Sequence, residues 1–285
     1  MTFSANSTDA VSKLADIRDY PWIILTGILA ESGQQCTGVI VAPRYAITNP
    51  SCVLSRDMIW NIRSGSSNPR LYGMKHELDK VITYTDSDEP VYKKIGGGII
   101  LIRVKEPFSY GETCKPISII EENFQPPGTE AAYLISLGQL TSKDKPTDGL
   151  RVLPVKVRDP SKCGRNGVNG NQAICVSMQN FKHGFVKLHH DVILIVNGKF
   201  AGIGSWYGGW NFKGRIESTV FQRADMYRDW IFKNIDDSTK PAQDHLDDNL
   251  SSITLKTLTC YVAARALQRN EARTTQFVRA LMDMI

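Results

Sequence analysis

From Tyr20 to Ser205 the apolar positions fall in short runs of four to nine residues, usually separated by Gly, Pro, Asn or Asp. The runs are "WIILTGILA", "CTGVIVA", "YAIT", "MIWNIRSG", "KVITY", "GIILIRV", "AAYLISLG", "RVLPVKVRD", "ICVSM", "DVILIV" and "FAGIGSW". They are rich in β-branched and aromatic side chains, which suit a pleated surface, while the breakers between them suit turns. Eleven such runs at short spacing predict antiparallel barrels or a sandwich rather than alternating strands and helices. No fixed-period repeat is present, which argues against solenoids and propellers.

After Trp206 the pattern changes. "VFQRADMYRDWIFKNI" places Val220, Tyr227, Trp230 and Ile231 near helical spacing and predicts a short helix. Residues 236–248, "DDSTKPAQDHLDD", are polar and acidic with one proline, which reads as an exposed linker. Residues 249–285 read as a helical extension, with Ser251 or Ser252 as its cap and Phe277, Leu281 and Ile285 as an apolar stripe. That stripe is read either as packing against the body or as a docking helix for a partner. The organisation is therefore an arm at 1–9, a β-rich domain at 10–235, the linker and the extension.

Composition narrows the class. With 42% apolar residues the chain can bury a sizeable core. Its net charge of +5 is spread along the sequence without a Lys/Arg block, so no nucleic-acid footprint is read. No apolar run approaches the ~20 residues of a membrane span, and the first twenty residues show no signal-peptide pattern. Six cysteines, and glycosylation triplets at Asn6 and Asn249, fit an oxidising, extracellular setting.

The residues carry a resemblance. "YPWIILTGILAESGQQCTGVIVAPRYAITNPSCV", "GGGIILIRVKEPFSYGETCKPISI", "LPVKVRDPSKCGRNGVNGNQAICVSM", "FAGIGSW" and "VFQRADMYRDWI" occur in the order found in trypsin-like serine proteases. The chain resembles that family from about residue 10 to 235. The resemblance implies two six-stranded antiparallel β-barrels with a closing C-terminal helix. It further implies the disulfides Cys36–Cys52 and Cys163–Cys175. Cys114 and Cys260 remain; by analogy with related chains they would staple the tail to the body, and two free buried thiols are the alternative.

Family chemistry needs a serine nucleophile, a histidine to take its proton and an aspartate to orient that histidine. By the resemblance those positions are Gly184, Ser51 and Gly98 here. Shifting the alignment does not restore them. No histidine precedes His76, no aspartate lies between Asp88 and Asp144, and no Ser, Thr or Cys occurs from Met178 to Gly204. Lys182 stands at the oxyanion-hole glycine, His183 at the aspartate that pairs with the activation amine, and Met178 at the base of the specificity pocket. The activation site is replaced by "AVSK", Ala10 to Lys13.

Two further features weigh little. His189 and His190 are adjacent, so on a strand they point to opposite faces and do not share an ion, even beside Asp191. Gly96 to Gly98 lack the Lys-Ser/Thr and helix of a phosphate loop. No metal and no cofactor is implied. The resulting expectation is a non-catalytic protease homologue that is secreted and binds other proteins, such as a protease, an inhibitor or a receptor. An extended peptide would lie along Ser205 and Trp206 by strand addition. The resemblance implies a regulator, cofactor or scaffold in a protease cascade, immunity or reproduction. A hydrolase with a relocated site, and an assembly protein using the C-terminal helix, are the competing expectations.

Overall fold

The computed structural model describes residues 12–27, 35–52, 62–68, 73–84, 99–125, 131–138, 140–141, 149–159, 173–178, 192–207 and 218–235. The chain divides into two compact units, residues 1–241 and 242–285. The linker and extension read at 236–285 lie outside the described residues.

Strands β2 (Ile23–Gly27), β3 (Gln35–Ala42), β4 (Tyr45–Thr48), β5 (Ile62–Ser64), β6 (Met74–His76), β7 (Leu78–Thr83) and β8 (Ile100–Val104) form one antiparallel sheet, ordered β6-β5-β2-β3-β4-β8-β7. Its two outer strands, β6 and β7, are separated only by Glu77. They act as one bent strand, paired to β5 on one arm and to β8 on the other, and this closes a six-stranded barrel.

The second sheet holds β9 (Ala132–Leu137), β10 (Leu150–Arg158), β11 (Ala173–Met178), β12 (Ile193–Val196), β13 (Lys199–Tyr207) and β14 (Ser218–Arg223). Pairing of β9 with both β10 and β12 closes it into a second six-stranded barrel. The two-residue β1 (Lys13–Leu14) adds to β10 beside it. Pro154, which has no N–H to give, lies between the β10 residues paired with β1 and those paired with β11.

Side-chain alternation along the strands sorts residues into cores. In the first barrel Ile24, Ile40, Ala46, Ile100 and Ile102 fill the interior. Their strand neighbours Ile23, Leu25, Val39, Tyr45, Ile47 and Leu101 turn outward. In the second barrel Leu134, Leu194 and Val196 point in, while Ile135, Ile193 and Ile195 join that outward set. The outward residues pack against each other, so the barrel–barrel interface is itself a core. Strands buried on both faces read as continuous apolar runs.

One expected element is corrected. Val220 belongs to β14, not to a helix, because β14 is needed between β11 and β13 to close the second barrel. A 3-10 turn (Asp225–Tyr227) follows, and helix α1 begins only at Arg228 and ends at Asn234. Ile231 of α1 is fully buried in the interface core.

Candidate functional site

The two barrels are tied together at Asn49. Its side chain is fully buried, and its amide donates to the Gly204 carbonyl of the second barrel at 3.2 Å. Thr48 donates through Oγ1 to the Thr37 carbonyl at 3.1 Å. The Cys52 N–H closes back on the Asn49 carbonyl at 3.0 Å, folding Pro50–Cys52 into a single 3-10 turn. The Cys36–Cys52 disulfide, with Cα atoms 6.0 Å apart, fixes that turn to β3. Ser51, expected from the resemblance at the family's histidine position, therefore sits in a turn held on one side by the disulfide and on the other by the cross-barrel bond.

Strand β13 carries the opposite wall. The Gly204 N–H donates to the Val192 carbonyl at 2.6 Å. Against β14 the register shifts between Gly204 and Trp206. Ser205 is thus the extra residue of a bulge, a device that redirects a strand. The predicted groove residues Ser205 and Trp206 are placed next to the Asn49–Gly204 bond. Met178 ends β11, with its backbone opposite Val155. Gly98, Lys182, His183 and Gly184 lie outside the described residues, as do Gly96, His189, His190 and Asp191.

The cysteines divide. Cys36–Cys52 is formed as expected. Cys175 is disulfide-bonded, and its expected partner Cys163 lies outside the described residues. The staple from Cys114 to Cys260 is not made. Cys114 is a free, buried thiol whose side chain packs in the first-barrel interior with Ile24, Ile62 and Phe108. Cys260 itself lies outside the described residues.

One polar cluster has no sequence signal. Ser64 Oγ lies 2.8 Å from His76 Nε2, with both residues buried. Ser64 is directly opposite Met74, and His76 is opposite Ile62. The serine and histidine are therefore diagonal neighbours on one face of the β5–β6 pair. The imidazole meets Phe108 edge-on at 4.6 Å, and the Cys114 thiol hydrogen-bonds Ser64. Burial pushes the imidazole pKa below its ordinary value and the thiol pKa above its own. This hydroxyl–imidazole pair lies in the first-barrel core, away from the cleft, and the hydroxyl is only 3% exposed as a residue.

A second buried cluster stands where β14 passes into α1. Arg223 donates through Nε to Asp225 Oδ1 at 2.9 Å and through Nη2 to Oδ2 at 2.6 Å, with side-chain exposures of 5% and 4%. Arg223 also donates to the Phe124 carbonyl, joining the inter-barrel segment to the second barrel.

Two antiparallel β-barrels packed against each other, with a helix after the last strand, define the class: a chymotrypsin-type fold. Residues 12–186 match the trypsin family, and the chain belongs to it. Snake venom serine protease homolog rhinocerase 3 from Bitis rhinoceros is 25% identical over 231 residues, 76% of this chain and 83% of the relative. Snake venom serine protease homolog 1 from Bitis gabonica gives the same values. Among solved structures, the scabies mite inactivated protease paralogue S-D1 aligns at a TM-score of 0.62 and 19% identity, over 82% of this chain and 100% of that one. A mutant of human heparin binding protein aligns at a TM-score of 0.62 and 16% identity, over 79% and 96%. At these identities the structural likeness speaks for the fold.

Proposed function

We propose that this trypsin-family chain is non-catalytic and works outside the cell by holding an extended segment of another protein in its cleft. The observation that carries the reading is Ser51. The turn, the disulfide and the cross-barrel contact that would present a catalytic histidine are all built, and a serine occupies the position. A serine side chain does not take up a proton near neutral pH, so a nucleophile facing it would stay protonated. The residues at the aspartate and nucleophile positions, Gly98 and Gly184, have no side-chain functional group at all.

Other observations lean the same way. The snake relatives are named serine protease homologs, and the mite structure is named an inactivated paralogue. Formed disulfides fit an oxidising compartment. The bulge at Ser205 offers a strand segment to which a peptide backbone adds, giving affinity through main-chain hydrogen bonds. The partner is another protein, and the role is that of regulator, cofactor or scaffold in an extracellular process such as a protease cascade, immunity or reproduction. The Ser64–His76 pair does not favour a relocated hydrolase, because a nucleophile buried among Ile24, Ile62 and Phe108 does not reach a substrate carbonyl.

The test is to incubate the full chain with a diverse peptide library, recover the bound fraction by gel filtration and sequence it by mass spectrometry. Peptides retained at full length, and lost from a Trp206→Ala variant, are expected. Recovery of cleaved peptides with a shared cut site overturns the reading.

A further inference from the structure

The first barrel closes only because one strand bends at Glu77, and the residue just before that bend, His76, turns its ring inward. There it completes a chain of three polar groups in an apolar surround. Ser64 has a single hydroxyl proton and two neighbours, the His76 ring and the Cys114 thiol. With a neutral imidazole whose ring proton sits on Nδ1, Nε2 is an acceptor and takes the Ser64 proton. A protonated ring makes Nε2 a donor. Ser64 must then turn its proton to the Cys114 sulfur, a weak acceptor, and a positive charge is left facing a hydroxyl, a thiol and the edge of Phe108.

Among the described residues no counter-charge faces the ring. On β5, Ile62 is apolar and Arg63 points to the other face, donating to the Gly73 carbonyl. On β2 and β8 the facing residues are Ile24, Ile102 and Val104. From residues 105–114 come Phe108, the Cys114 thiol and the neighbouring Tyr110 hydroxyl, and burial pushes the pKa of both ionisable groups up, keeping them uncharged. Beside His76 on its own chain, Glu77 is exposed and committed to Lys105 at 2.7 Å, and Asp79 is paired with Arg103.

We propose that Ser64, His76 and Cys114 form an acid-sensitive latch, which keeps the first barrel closed at neutral pH and opens the seam beside Glu77 on acidification, uncovering Cys114. The sign follows from the burial of the ring. Its pKa is lowered in the folded chain, so the open form binds the proton more readily. The latch is fully closed above the ordinary imidazole pKa of about 6.5. Below it the open population rises, by up to about tenfold per pH unit for one proton, until the folded-state pKa is passed. The inference is independent of the proposed peptide cleft.

Labelling of Cys114 by dithiodipyridine, which reacts at acidic pH, reports the opening when followed by peptide mass spectrometry on the full chain. Rates are divided at each pH by those of the denatured chain. The expected ratio is low and flat from pH 8 to 6.5 and climbs below that, with tenfold per unit as the ceiling for one proton. His76→Gln, which keeps a hydrogen-bonding side chain without a titrating group, is expected to remove the climb, whereas Ser64→Ala raises the ratio at every pH and retains it. A flat wild-type profile, or an unchanged climb in His76→Gln, overturns the proposal. Where His76→Gln does not fold, histidine NMR of the wild-type chain decides. A His76 ring that titrates below the ordinary value is expected, and one that titrates at 6.5 without loss of barrel signals overturns the latch.

Discussion

Asn49 shows how a single polar residue becomes an architectural one. It is a carboxamide at zero exposure between two barrels, and its partner is a backbone carbonyl 155 positions away. Truncating one side of a buried hydrogen bond leaves the other unsatisfied, so Asn49→Ala is expected to lower stability by about 1–3 kcal/mol in urea unfolding. Arg223 and Asp225 make the steeper case. Removing one member of a buried pair strands the other charge, and Asp225→Ala is expected to cost about 3–5 kcal/mol, with thermal unfolding as the readout. Legibility at this scale was uneven. The turn that carries Ser51 was legible because the cysteine beside it and the apolar strand before it mark its place. Asn49 was missed because an Asn-Pro pair after a strand reads as a turn. Ser64 and His76 were missed because diagonal pairing across β5 and β6 joins residues twelve apart with no spacing rule to mark them.

At the scale of elements, the strands that were easiest to read are those with both faces buried, such as β4 and β12, where every residue is apolar or small. Strands β1 and β6 were not read, since two or three residues carry no period. Strand β14 was taken for helix because Val220 happens to fall in phase with Tyr227 and Ile231. Two connections between elements carry testable weight. Tyr84, at the end of β7, meets Tyr227 edge-on at 5.0 Å and Trp230 at 5.5 Å, so it ties the first barrel to the closing helix. Edge-to-face pairs contribute about 0.5–1.5 kcal/mol each beyond area burial. Tyr84→Ala is therefore expected to destabilise the chain by about 2–3 kcal/mol and to increase amide exchange in α1, whereas unchanged α1 protection would show that the helix is held without Tyr84. The Cys36–Cys52 bridge closes a loop of sixteen residues. Replacing both cysteines by serine is expected to cost about 2–4 kcal/mol by calorimetry, the range typical for such loops.

For the molecule as a whole, the fold and the chemistry have separable causes. Barrel closure, the interface core and the cross-barrel bond depend on apolar alternation and on a few buried polar contacts, none of which involves a catalytic group. A chain can therefore keep the two barrels while the residues that the family resemblance sets at the base, acid and nucleophile positions are Ser51, Gly98 and Gly184. The most direct test is the intact mass of the full chain after prolonged exposure to an excess of a fluorophosphonate, which reacts with a serine only when a neighbouring base activates it. An unmodified mass is predicted. A stoichiometric adduct on one serine would contradict the account, because it would place a working nucleophile in a chain described here as having none.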